Sequence, residues 1–410
     1  MPSNTTTAAV VILFRGTKER HLEVLVQAVQ AVNDSQLAPV CIAPENTFIP
    51  DELGAERAFY RPASRDSLTD AVQQAVADRQ IRRIVALDEK DVQPAAQLRG
   101  IFGISGLTSR QSVYFRDKNA MAARSAELGL NVAASCQPHT LATVEEFAAR
   151  VGYPLVVKPY DGVSCINTYK VNDPAELRQL WPSVEEQRHD YRVEGFVHGR
   201  QFHVDAIIRD GAVVFESVSE YTATILDNHG HGPLGSIAHA DTDDPQHLAM
   251  LRQNRVLLEG FGLTTGITHA EFYLQNDGKI VFGEIAARMA GAWNTMIYAG
   301  AYGMQLAYTW VRTEIDLDYR WKPETRQPAA AEFLWTDSTG TIESITPAET
   351  LEALPGVFDV QIWKKPGDLI HANEGTRGQD IGRILITGSS IDEVKEYTGE
   401  VRNTFRVTTG

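Results

Sequence analysis

The chain has 410 residues, 43% of them apolar and 22% charged, the balance of a soluble globular protein with room for two to four domains. A formal charge of −15 excludes the basic face of a general nucleic-acid binder, and no apolar run approaches the roughly 20 residues that span a bilayer. Cys41, Cys136 and Cys165 are odd in number and not in CxxC spacing, which disfavours a disulfide framework or a zinc site and points to a reducing cytoplasm.

Strand-length apolar runs at Ala8–Phe14, Ala38–Ile42 and Arg83–Leu87 alternate with helical spacing over Ser67–Arg79, where Ser67 and Asp70 offer a capping box. That alternation predicts a parallel, Rossmann-like sheet with its ligand end at the strand carboxyl termini, where Asp88-Glu89-Lys90 sits. Next comes a helix over Asp117–Leu128, closed by Gly129, and another opened by Thr143 and Glu146 and ending at Gly152. The run Tyr153–Pro159 reads as a strand followed by a loop through Cys165. Further strands are expected at Tyr191–Val197, Gln201–Arg209 and Ala212–Ser219, then a helix over Pro245–Leu258 capped by Asp244. From about Gln327 the chain shows strands and turns without evident chemistry.

Between Ile267 and Ala286, two strand-like runs flank Asp277-Gly278, the pair favoured in a two-residue hairpin turn. That turn sets Asn276 opposite Lys279 and, counting outward, Glu271 opposite Glu284. Ala270, Phe272, Leu274, Val281 and Ile285 then form the core side. Facing carboxylates repel; a hard divalent cation such as Mg²⁺ between them removes that cost. Two solvated acids on an exposed face explain the pattern equally well. Lys158 ends its strand before a loop with Gly162 and Ser164, which suits a phosphate cover, although a strand-end lysine is more often simply solvated. Lys118, in the first turn of a helix, hints at a nearby anion. Arg288, beside Gly291, suits a bidentate clamp on phosphate or carboxylate, or a surface ion pair.

Taken in order, Arg116-Asp117-Lys118, Tyr153–Pro159 with Lys158, Val193-Glu194-Gly195-Phe196-Val197, His269-Ala270-Glu271 and Glu284–Gly291 with Arg288 resemble the ATP-grasp superfamily across roughly residues 85–300. The last string is similar to the L-amino acid ligases, which make dipeptides, and Gly382–Gly388 is similar to their C-terminal domain. The resemblance implies an α/β ATP-grasp fold: a Rossmann-like domain (1–115), two nucleotide-clasping parts (116–198 and 199–326) and a small C-terminal α+β unit (327–410).

It also implies an ATP-dependent ligase that joins an amino acid or similar carboxylic acid to an amine through an acyl phosphate, releasing ADP and phosphate. Lys118, Lys158 and Ser164 would bind the ATP phosphates, while Glu194 and the backbone of Gly195 and Val197 would read adenine. Glu271 and Glu284 would hold Mg²⁺, with Mn²⁺ as a substitute. Lys158 and Arg288 would be catalytic. Glu89, Arg288, Gly291 and Ala292 would face substrate, Glu89 toward the acceptor and its ammonium group and Ala292 leaving room for the acid's side chain unless Trp293 fills that place. The glycine-rich stretch Asn228–Gly235 would close over the intermediate, with His231 against substrate or, with His229, merely solvated. Two positions depart from the superfamily pattern: Ala286 replaces a frequent asparagine ligand, and Gln201, counted with the ATP-binding residues, stands where an acid often holds the ribose. Activation of bicarbonate or formate is the rival chemistry. A non-catalytic ATP-binding module is disfavoured by retention of both lysines and both glutamates. The partners expected are small molecules, with a homodimer kept open.

Overall fold

The computed structural model describes residues 7–16, 22–62, 65–163, 165–228, 232–240, 243–291, 296–371 and 381–410. Near the start, a four-stranded parallel sheet has the order Glu56–Tyr60, Ala38–Pro44, Ala9–Leu13, Ile81–Ala86. Its strand Ala9–Leu13 is apolar throughout because both faces are covered. Val10 and Ile12 pack with helix Leu22–Asp34, while Ala9, Val11 and Leu13 pack with helices Arg65–Val76 and Val92–Phe102. The predicted cap at Ser67 is not there. The helix begins at Arg65, and the Ser67 hydroxyl instead accepts the Arg61 N–H at 3.0 Å.

A small antiparallel sheet follows, in the order Ser135–Cys136, Tyr191–Gly195, Leu155–Pro159, Tyr169–Val171. Helices Leu141–Val151 and Pro174–Val184 cover one face through Val144, Phe147, Leu177 and Trp181. Here too the cap differs from expectation: Thr140, not Thr143, accepts the first free amide, from Thr143 at 3.1 Å.

The widest sheet has eight antiparallel strands. Their order is Ile280–Ala286, Gly266–Leu274, Arg200–Arg209, Ala212–Tyr221, Gly235–His239, Ala329–Leu334, Gly382–Thr387, Val357–Ile362. Its last three strands come from the C-terminal stretch, so the sheet runs without a break across the border expected at residue 327. Helix Pro245–Phe261, capped by Asp244 and ended by left-handed Gly262, packs Met250, Leu257 and Phe261 against Phe202, Phe272 and Phe282.

Candidate active site

A cleft opens between the small sheet and the wide one, lined by Lys158, Glu194, Gly195 and Val197 on one side and Gln201, Tyr221, Glu271 and Glu284 on the other. Lys118, Arg288 and Gly291 also border it. Ser164, His229, His231, Ala292 and Trp293 lie outside the described residues.

Glu271 pairs with Glu284 across adjacent strands, but not through the turn read from the sequence. Gln275, not Asn276, stands opposite Lys279: its N–H donates to the Lys279 carbonyl at 2.9 Å, and the Gly278 N–H returns to Gln275. The ladder is therefore one residue off near the turn, with Tyr273 opposite Val281 and Phe272 opposite Phe282. A bulge at Gly283 shifts it back, so that Glu271 meets Glu284 and Ala270 meets Ile285. Val281, predicted on the core side, consequently shares a face with Tyr273, and the core side is filled by Ile280 and Phe282.

The acids of the cleft sit among cations. Glu284 Oε2 lies 3.4 Å from Lys118 Nζ; burial opposes its ionisation, but Lys118, Lys158 and Arg288 pull its carboxyl down to about 2. Lys158 Nζ contacts Glu194 Oε2 at 2.8 Å, and Arg192 Nε contacts Glu194 Oε1 at 2.7 Å. Burial works against the charge on Lys158 and Glu194 alike, yet each holds the other ionised, Lys158 shifted up and Glu194 down. Gly195 donates its N–H to Ala134 at 2.9 Å, which leaves only its carbonyl for a ligand. Gln201 is tied to the acid pair: its side-chain nitrogen donates to Glu271 Oε2 at 2.9 Å and its oxygen accepts from Ile225 N–H at 2.9 Å.

Glu89 faces two guanidiniums rather than open space. Its Oε2 accepts from Arg288 Nη2 at 2.7 Å and Nε at 3.1 Å, and its Oε1 pairs with Arg116. Burial would raise the Glu89 carboxyl, but Arg288 and Arg116 bring it below the ordinary range. Neutralised on both oxygens, Glu89 anchors Arg288 in this arrangement and presents no unpaired charge to a substrate ammonium.

Behind Glu271 lies a buried polar layer that the sequence reading missed. On facing strands, Gln201, His203 and Asp205 pair with Tyr273, Glu271 and His269. Asp205 accepts from Tyr298 Oη at 2.5 Å and contacts His203 Nδ1 at 2.5 Å and His269 Nδ1 at 3.0 Å. His269 Nε2 reaches Glu271 Oε1 at 3.5 Å, and Tyr221 Oη donates to the same oxygen at 3.4 Å. Burial lowers His203 overall, whereas at His269 it is outweighed by Asp205 and Glu271, which lift the imidazole to about 9. Asp205, though desolvated, is kept ionised by both histidines. The signal was in the sequence: polar residues at every second position, 201, 203 and 205, alternating with Phe202, Val204 and Ala206, mark one face of the strand as polar.

As a metal site the arrangement fits Mg²⁺: two facing carboxylates, one of them held ionised by three cations, form a hard-oxygen pair. Ala286, opposite His269 and buried, adds no donor.

Residues 332–410 match the family model for the L-amino acid ligase C-terminal domain 2. An L-arginine-specific L-amino acid ligase of Bacillus subtilis is 23% identical over 328 residues, covering 78% of this chain and 79% of that protein. The crystal structure of an L-amino acid ligase from Bacillus licheniformis superposes with a TM-score of 0.80 at 20% identity, covering 98% of this chain and 99% of that one. An N5-carboxyaminoimidazole ribonucleotide synthetase from Thermotoga maritima shares the architecture at a TM-score of 0.72 and 14% identity, covering 98% and 100%. These structures show the fold of the chain to be ATP-grasp.

Proposed function

We propose that this ATP-grasp protein, similar in sequence and fold to the L-amino acid ligases, joins the carboxylate of an amino acid to an amine at the cost of ATP. One observation carries the reading: Lys118, Lys158, Arg288 and the facing pair Glu271–Glu284 meet in one cleft. A carboxylate is a poor electrophile, and transfer of a phosphoryl group to it makes an acyl phosphate with a good leaving group. Such transfer needs position and charge more than covalent help from the protein. Mg²⁺ held by Glu271 and Glu284, or Mn²⁺ in its place, would offset phosphate charge.

The chain's own residues do the rest. Lys118 and Lys158 bind the phosphates, Lys158 exchanging its contact with Glu194 for phosphate oxygen. Arg288, oriented by Glu89, meets the charge that develops on the transferred group. His269 and Tyr221 hold the Glu271 carboxylate in place. The loop beginning at Tyr160 covers the phosphates and excludes water, which would otherwise hydrolyse the intermediate. The amine attacks the acyl carbon, phosphate leaves, and the product is an amide. A phosphate-release screen over pairs of amino acids and simple amines, with mass spectrometry of positive wells, tests this. Phosphate release that requires both partners and yields a condensed mass supports the reading; no condensed product from any pair rejects it.

A further inference from the structure

Arg116 has no assigned role in the chemistry above, yet it is among the most enclosed cations of the chain, its side chain 9% exposed. It stands just before the helix that carries Lys118 and extends its two terminal nitrogens in different directions. Nη1 pairs with Glu89, the carboxylate whose other oxygen holds Arg288. Nη2 donates to the backbone carbonyl of Asp161 at 2.6 Å. Asp161 belongs to the loop whose next carbonyl, that of Gly162, accepts from Lys118 Nζ at 2.8 Å.

Neutralising Glu89 would need one contact, which a lysine supplies. The second contact, to a main-chain carbonyl, depends on the path of the loop rather than on its side chains, and only a planar fork makes both at once. The carbonyl moves when the loop moves, so the loop, Arg116, Glu89 and Arg288 form one unbroken chain of contacts across three parts of the molecule. We propose that Arg116 is a positioning residue that couples the seating of the loop segment Tyr160–Val163 over the nucleotide to the orientation of Arg288. With the loop seated, Arg116 holds Glu89, and Glu89 holds Arg288 toward the reacting phosphate. With the loop lifted, Arg116 loses its carbonyl and Arg288 loses a fixed anchor. The inference rests on the reading of this loop as the phosphate cover.

The test uses the full chain with Arg116→Gln and Arg116→Lys. Amide hydrogen exchange over the loop is followed with and without a non-hydrolysable ATP analogue and Mg²⁺, beside steady-state kinetics. In the wild type, saturating nucleotide should slow exchange in the loop about tenfold or more. Both variants should bind the analogue within about threefold of wild type, yet show less than about twofold protection of the loop. Their kcat should fall about 30-fold with KM for ATP little changed, and phosphate released per amide should rise above one as water gains access. Arg116→Lys, which keeps the charge near Glu89 but not the fork, should recover only a minor part of kcat. Full loop protection in either variant overturns the proposal. So does a rise in Kd for the analogue that matches the fall in kcat, or a loss of protection spread over the whole chain. If the wild type forms no amide from any pair, the ligase reading fails, while the exchange experiment still decides the coupling.

Discussion

Glu284 stands directly opposite Glu271 because Gly283, the residue before it, is the extra residue of a bulge that takes up the one-residue offset set at the turn. A Cβ on Gly283 would lie 3.0 Å from the Tyr273 ring and 3.2 Å from the Glu271 carbonyl, so the bulge has little room for a side chain. Gly283→Ala should therefore move one carboxylate relative to the other. We expect kcat to fall about tenfold and the Mg²⁺ concentration for half-activity to rise, with a stability loss of about 1–3 kcal/mol. A magnesium titration of activity beside thermal melts checks it; wild-type magnesium dependence would show that the register tolerates the methyl group.

Replacing either acid tests the pair itself. Glu271→Gln and Glu284→Gln should each reduce amide formation at least about 100-fold, the scale of losing one transition-state charge contact. Folding should survive both, because glutamine keeps the shape and removes a like-charge pair. The two differ in a second respect: Glu284 contacts Lys118 at 3.4 Å, so its loss also leaves that lysine without its acid partner. Glu284→Gln should therefore raise nucleotide affinity in the absence of metal, and Glu271→Gln should not. Calorimetry without Mg²⁺ separates them; turnover near wild type in either variant removes that residue from the metal site.

How much of this was legible depends on what a sequence encodes locally. The buried strand Ala9–Leu13 and the helix begun by Asp117 follow from apolar runs and capping chemistry, which neighbouring residues decide. Glu271 opposite Glu284 was reached through a turn one residue out of register, and Gly283 made up the difference, a compensation that pattern alone does not reveal. The Glu89–Arg288 pair joins residues 199 apart in the chain, and no local rule brings them together. That strand Ala329–Leu334 continues the wide sheet beside Gly235–His239 is likewise a non-local pairing, which the sequence does not show. Gln201, His203 and Asp205 were readable in principle, but a polar alternation says only that a face is polar, not that it is buried.

The spent nucleotide should be ADP. Lys118, Lys158 and Arg288 converge with the two glutamates in a single cleft, an arrangement suited to drawing off charge at a terminal phosphoryl group. Chromatography of a reaction stopped at partial turnover should show ADP and phosphate rising together, one each per amide. AMP and pyrophosphate as the main products would mean adenylation of the acid and would overturn the acyl-phosphate mechanism.

Glu332, on the strand that carries the C-terminal stretch into the wide sheet, should leave a mark on stability. Its side chain is 1% exposed, Arg402 Nη2 lies 2.5 Å away, and Oε2 has no hydrogen-bond partner among the described residues. Burial raises its carboxyl from 4.5 to about 7, and Arg402 only partly opposes that. Between those values the folded chain keeps a proton that the unfolded chain has released. The contribution is therefore full below about pH 4.5, declines as pH rises toward 7, and is constant above, a total on the order of 3 kcal/mol. Glu332→Gln stays neutral throughout, so its Tm should gain on that of the wild type from about pH 5 to pH 7 and hold that lead at pH 8. Arg402→Ala removes the opposing cation, so the decline should extend to higher pH. Thermal melts of the three proteins across that range decide it, and a Tm difference between wild type and Glu332→Gln that does not change with pH would mean that Glu332 stays ionised beside Arg402.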